Sequence, residues 1–277
     1  MNAELPSAWE SLKIEPIALR ASAPAGACFA DLSREALESL LARCPLLILR
    51  GLAPLPTPES FSAACVQWGQ LLEWDFGTVF QVRQRPDPQN YLFTSGSVPL
   101  HWDGAFAETV PWLQVFQCRD APRSTLAEGG GQTTFSDTRR VWELACEATR
   151  SLWRRVEVSY ETPKVAHYGG RIRVPLVSAH PLSGAPTLRF AEPADAETAP
   201  LNTPQLEVHG LPAGRSSEVF LAELREALYD PRCLYEHRWE VGDFVITDNY
   251  ALLHGRRSYA ASEARELWRV HVLHEAS

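Results

Sequence analysis

His101-Trp102-Asp103 sets an imidazole and a carboxylate two residues apart. On an extended chain that spacing puts both groups on one face, with Trp102 turned the other way. They can therefore take adjacent positions on a single metal ion. Far downstream, His254 offers a second imidazole, and Arg265 and Arg269 follow it. Two imidazoles and one carboxylate suit Fe(II) and leave three coordination positions open. His101, Asp103 and His254 are thus the metal-binding and catalytic candidates.

The dipeptide spacing alone is weak, because with eight His and 34 acidic residues about one His-x-acid match is expected by chance. Context strengthens it. Gly104 lets the backbone turn away directly after Asp103, leaving both side chains at a strand mouth. His254 follows a Gly242-Asp243 turn and an apolar strand that ends in polar residues. On the last strand, Arg265, Leu267, Arg269 and His271 share a face. Two guanidiniums there are costly to bury without carboxylates, and their planar forks suit a dicarboxylate.

Elements must hold these groups in place. Ser33 caps a helix striped by Leu37, Leu40 and Leu41, and residues 46–50 form a buried strand after it. Thr57-Pro58 opens a helix expected to reach Leu72. Strands are expected from Tyr91 to Asp103 and from Trp112 to Cys118. The Gly129-Gly130-Gly131 turn then leads into Gln132-Phe135, and Asp137 caps a helix running to Leu152. Short strands follow at 156–160, 171–176 and 187–190, then a helix at 217–229 and strands at 233–240, 244–247 and 267–274. This is a sandwich or barrel with helices at its margins, read as one domain over residues 1–277.

At 277 residues, 45% hydrophobic, the chain has ample material for a core. Its net charge of -8 argues against a nucleic-acid surface or a membrane-attracting basic face. Six scattered cysteines without a C-x-x-C pair suit reduced thiols, and no apolar leader or span is evident, so a cytoplasmic protein is expected. Self-association into a homo-oligomer is left open.

In order and rough spacing, one series of motifs resembles the Fe(II)/2-oxoglutarate dioxygenases of the taurine dioxygenase (TauD/TfdA) type over most of the chain. It comprises His101-x-Asp103, Gly130-Gly131-Gln132-Thr133, His180-Pro181-x-x-Gly184, Trp239-x-x-Gly242-Asp243, Asp248-Asn249, His254-x-Arg256 and Arg265-x-x-x-Arg269. The resemblance implies a mainly β fold with flanking α-helices around a double-stranded β-helix, a cupin-like jelly roll. It makes His101, Asp103 and His254 the iron ligands. Arg265 would pair with the far carboxylate of 2-oxoglutarate, with Thr133 beside it, and Arg269 would lie near the co-substrate or substrate. His180 and Asn249 are taken as structural. Halogenating relatives lack the iron-binding carboxylate, so Asp103 argues against a halogenase.

Residues 101–106 and 248–257 look most like the isonitrile-biosynthesis branch. That likeness implies oxidative decarboxylation and desaturation of an isonitrile amino acid, such as tyrosine isonitrile, to a vinyl isonitrile, using Fe(II), 2-oxoglutarate and O2. A small amino-acid-derived substrate with a free carboxylate needs a cation, and Lys164 is the one lysine beyond Lys13. Tyr91 and Phe106, which flank the iron motif, are candidate walls of its pocket. The alternatives are a hydroxylase of another small carboxylate or sulfonate, and a catalytically silent jelly-roll binding protein.

Overall fold

The computed structural model describes residues 5–123, 130–165, 168–194, 201 and 203–274, apart from the side chains of 164, 165 and 168. A hairpin of β1 (Glu10–Ile14) and β2 (Ala18–Ser22) opens the chain. Helix α1 (Arg34–Arg43) begins where the Ser33 hydroxyl accepts the Ala36 amide at 3.2 Å, and β3 (Leu46–Arg50) follows. Helix α2 (Pro58–Cys65) starts at the expected Thr57 cap but stops seven residues short of Leu72, passing through a 3-10 turn at Val66–Trp68 to Gly69.

Next come β4 (Val79–Arg83) and β5 (Val98–His101). The strand expected from Tyr91 is shortened because Tyr91–Phe93 is a 3-10 turn, with the Asn90 side chain accepting the Leu92 amide at 2.9 Å. Then follow β6 (Leu113–Asp120), β7 (Thr133–Asp137), α3 (Thr138–Leu144) and α4 (Glu147–Trp153). Asp137 does cap a helix, but the chain breaks at Ala145, where Arg150 reaches back to the Trp142 carbonyl at 2.9 Å. The remaining elements are β8 (Glu157–Val165), β9 (Tyr168–Pro175), β10 (Val177–Ala179), β11 (Pro186–Leu188), β12 (Gln205–His209), α5 (Ser217–Leu228), β13 (Leu234–His237), β14 (Phe244–Asp248), β15 (Leu252–Arg256) and β16 (Glu266–Val272).

Two sheets make the body. The larger has the order β1-β2-β3-β14-β6-β16-β4, and the smaller β13-β7-β15-β5. Their facing sides share a core in which Ile48, Phe116, Val245 and Leu267 of the larger sheet meet Phe135 and Leu252 of the smaller. The strands alternate as a pleat demands. On β6, Leu113 and Val115 turn outward to the layer of α1 and α2, where Leu37, Leu41 and Phe61 cover the large sheet. On β15, Leu253 turns the other way, into a layer completed by Trp142 of α3, Leu152 of α4 and Phe220 and Leu224 of α5. The result is a double-stranded β-helix, a jelly roll with helices on both outer faces. Among the described residues, no helix is long and apolar enough to cross a membrane.

Candidate metal centre

His101 ends β5, and its backbone partner on β15 is His254. Two strands of one sheet thus set the two imidazoles side by side, with ring centroids 4.2 Å apart. Two residues beyond His101, Asp103 sits where the chain turns at Gly104. That glycine has φ of 86°, and a Cβ there would lie 2.5 Å from Pro111. The Asp103 carboxylate comes back toward the imidazoles, with Oδ1 3.7 Å from His101 Nε2 and Oδ2 3.9 Å from His254 Nε2. One donor atom from each residue falls within 4.8 Å of the others. Bonds of ~2.1 Å at right angles would draw such donors to ~3 Å apart, so a first-row divalent ion needs only a small contraction.

The proton inventory suits a cation. Pro99 O lies 2.9 Å from His101 Nδ1 and takes that N–H, which leaves the Nε2 lone pair facing the site. Burial pushes the His101 imidazole below its usual pKa. Burial and the neighbouring His101 push His254 well below it. Both rings are therefore neutral donors at pH 7. For Asp103, burial alone would raise the carboxyl; Arg269, His254 and His271 outweigh it and hold it well below the ordinary carboxylate range.

Asp103 is more heavily supported than its sequence context suggested. The Asn249 side chain accepts the Asp103 amide at 3.0 Å and donates to the Asp103 carbonyl at 3.0 Å and the Pro111 carbonyl at 2.8 Å. Asp103 Oδ2 lies 2.6 Å from Gln114 Nε2, 2.8 Å from His271 Nε2 and 2.5 Å from Arg269 Nη1. Asn249, expected to be structural, thus braces Asp103 directly, and Gln114 and His271 join it. For His271 a signal was present, since it shares the β16 face with Arg265 and Arg269.

On the large-sheet side, Arg265, Arg269 and Thr133 border one cavity with His101 and His254. Arg265 donates from Nε to the Gly131 carbonyl at 2.8 Å and from Nη2 to Thr133 Oγ1 at 3.1 Å. Gly131, at φ of 65°, has no room for a side chain, because a Cβ would lie 2.9 Å from Arg265 Cδ. Trp239 Nε1 also donates to Thr133 Oγ1, at 2.9 Å. With both lone pairs of that oxygen engaged, the Thr133 hydroxyl proton is left to give. Burial, with the Arg256 cation behind it, pushes the Arg265 guanidinium down to about 9. An incoming carboxylate would relieve that cost. Arg269 lies over the Phe80 ring at 5.0 Å, and its buried Nε has no hydrogen-bond partner. Arg256, by contrast, is used up on the carbonyls of Leu92, Thr94 and Gly96.

A second cavity opens on the other side of His101, lined by Tyr91, Trp102, Phe106 and Tyr160. Tyr91 and Phe106 thus share a cavity with His101. Lys164 is the last residue but one of β8, four residues past Tyr160, and its side chain lies outside the described residues. Gly129 of the glycine turn lies outside them as well. All six cysteines are free, as their scattered spacing implied.

A family model described as "Taurine catabolism dioxygenase TauD, TfdA family" matches residues 13–271. The chain belongs to the TauD/TfdA family. Among TauD/TfdA relatives, it is 47% identical over 243 residues to the 3-((Z)-2-isocyanoethenyl)-1H-indole synthase of Fischerella ambigua, covering 88% of this chain and 87% of that one. It is 39% identical to the tyrosine isonitrile desaturase of Pseudomonas aeruginosa, covering 87% and 82%. A solved structure of PvcB, described as an Fe, alpha-ketoglutarate dependent oxygenase from an isonitrile synthetic pathway, superposes with a TM-score of 0.77 at 35% identity, covering 98% of this chain and 94% of that one.

Proposed function

We propose that this TauD/TfdA enzyme uses Fe(II), 2-oxoglutarate and O2 to decarboxylate and desaturate the isonitrile of an aromatic amino acid, giving a vinyl isonitrile. The observation that carries this reading is the position of His101. It sits with His254 and Asp103 between a cationic cavity and an aromatic one. The relatives named as an isocyanoethenyl-indole synthase and a tyrosine isonitrile desaturase support the same substrate class.

His101, Asp103 and His254 would hold the iron. When bound, the metal with its co-substrate and O2 supplies a two-electron oxidation, and 2-oxoglutarate leaves as succinate and CO2. Every other task falls to the chain. Arg265 and the Thr133 hydroxyl grip the far carboxylate of 2-oxoglutarate, with Trp239 fixing which way that hydroxyl points. Arg269 offers its unpartnered Nε to a second carboxylate. Tyr91 and Phe106 wall the aromatic side chain and exclude water, and Lys164 is the candidate cation for the substrate carboxylate. Overall, substrate, 2-oxoglutarate and O2 give alkene, succinate, two CO2 and water. The substrate loses its carboxylate and two hydrogens. The chain reads as a single domain, and its free thiols suit the cytoplasm.

The test is succinate yield and product mass across tyrosine isonitrile, tryptophan isonitrile, the free amino acids and sulfonates. Loss of CO2 and two hydrogens is expected from an aromatic isonitrile. Gain of one oxygen would make the enzyme a hydroxylase. No succinate with any of them, and no visible band with anaerobic Fe(II) and 2-oxoglutarate, would leave a silent binding protein.

A further inference from the structure

We infer that His271 and Gln114 are positioning residues that compel Asp103 to meet its metal through Oδ1 alone. The inference rests on the Fe(II)/2-oxoglutarate reading and adds to it how three coordination positions are kept open.

Both residues point a hydrogen at Asp103 Oδ2, and each is fixed in that sense from behind. Trp74 Nε1, a donor only, lies 3.3 Å from His271 Nδ1, so that nitrogen accepts and the ring proton sits on Nε2, 2.8 Å from Oδ2. Thr247 donates from Oγ1 to Gln114 Oε1 at 2.9 Å, which turns the amide nitrogen toward Oδ2 at 2.6 Å. Trp74 and Thr247 thus decide the tautomer of one group and the flip of the other. Both supports come from the large sheet, Gln114 on β6 and His271 opposite it on β16, whereas the imidazole ligands come from the small sheet.

A carboxylate oxygen has two lone pairs. Arg269 is also on Oδ2, at 2.5 Å, but its long side chain borders the cavity and its Nε has no partner. When a carboxylate enters and draws Arg269 away, His271 and Gln114 remain: two donors for two lone pairs. Oδ2 then has nothing left for a cation. The consequence is a coordination count. A bidentate aspartate with two imidazoles would fill four of six positions, too many for a keto acid that takes two and an O2 that takes one. A monodentate aspartate leaves three.

Anaerobic titration of the full chain tests this, first with Fe(II), then with 2-oxoglutarate, following the visible band of the complex. In His271→Phe, the 2-oxoglutarate concentration for half-saturation should rise by roughly tenfold or more, the scale typical of groups that orient metal ligands. Fe(II) affinity should be kept or tightened, because a freed Oδ2 adds a ligand. His271→Gln, which keeps an N–H for Oδ2, should recover most of the 2-oxoglutarate affinity. Gln114→Leu should move the same way and serves if His271→Phe does not fold, as judged by thermal unfolding. Unchanged 2-oxoglutarate affinity, or a tenfold loss of Fe(II) affinity, overturns the inference. Absence of any band in the wild type would instead sink the 2-oxoglutarate reading. Co(II) alone then still reports coordination number through its d–d absorption, and a spectrum identical in wild type and His271→Phe overturns the inference separately.

Discussion

Two buried histidine–aspartate clusters lie close in sequence and do opposite things. In the turn after β14, Asp248 accepts the amides of Tyr250 and Ala251 on Oδ1 and the His180 ring on Oδ2 at 2.8 Å. His180 Nδ1 is in turn filled by the amides of Leu182 and Ser183. Every acceptor atom there has a hydrogen, and the cluster is closed. At His101, Asp103 and His254, the two imidazole Nε2 atoms face the carboxylate at distances too long for hydrogen bonds to it. The residue types are the same in both places, and most of the side chains are buried. What separates a structural pair from a candidate reactive one is whether lone pairs are spent.

That contrast can be broken from either side. His254→Ala removes a ligand, so product formation and the Fe(II)/2-oxoglutarate band should fall by more than the ~100-fold that outer partners typically cost. The thermal midpoint should change little. His180→Ala should do the reverse. It strands a buried carboxylate oxygen, costing about 3 kcal/mol and lowering the midpoint by roughly 5–10 °C, while Fe(II) affinity of the folded protein stays within a few-fold. If His180→Ala abolished metal binding with no loss of stability, the two clusters would not be distinct in kind. Arg265→Lys keeps the charge but loses the planar fork, and should weaken 2-oxoglutarate about 10–100-fold with Fe(II) binding intact.

The smallest effect is one of pH, at a third histidine–aspartate cluster. Burial alone would raise the Asp243 carboxyl, but the His237 ring, the Glu240 amide and Arg50 hold it below its ordinary value. A depressed folded pKa contributes stability above the unfolded value of about 3.9 and loses it as pH falls through the folded one. Asp243→Asn should therefore be less stable than wild type at pH 7 and converge on it in acid. A gap that stays constant on acidification would assign the loss to packing rather than charge.

Much of this was legible in the chain. Caps at Ser33, Thr57 and Asp137 appeared where their side chains could reach a free amide, and the apolar strands β3, β6, β14 and β16 announced themselves by burial. β1, β4 and β12 did not, because their partly exposed residues carry little alternation. β15 escaped notice although it bears His254. The gathering of His101, Asp103 and His254 could be anticipated, because the proposed metal ligation and dicarboxylate binding call for particular residue types. The roles of Gln114 and Trp239 could not, and that of His271 only through the face it shares with Arg265 and Arg269. Each acts on a residue more than ten positions away, and only the strand register, which no local pattern encodes, says that they meet.

The pairing of His101 with His254 across two adjacent strands has a consequence for the life cycle of the enzyme. Backbone hydrogen bonds, not the ion, set the gap between the imidazoles. The empty protein should therefore mature without its metal, and withdrawing iron with a chelator should silence it without unfolding it. Loading would then be a reversible, late event, governed by how much ferrous iron the surroundings can spare.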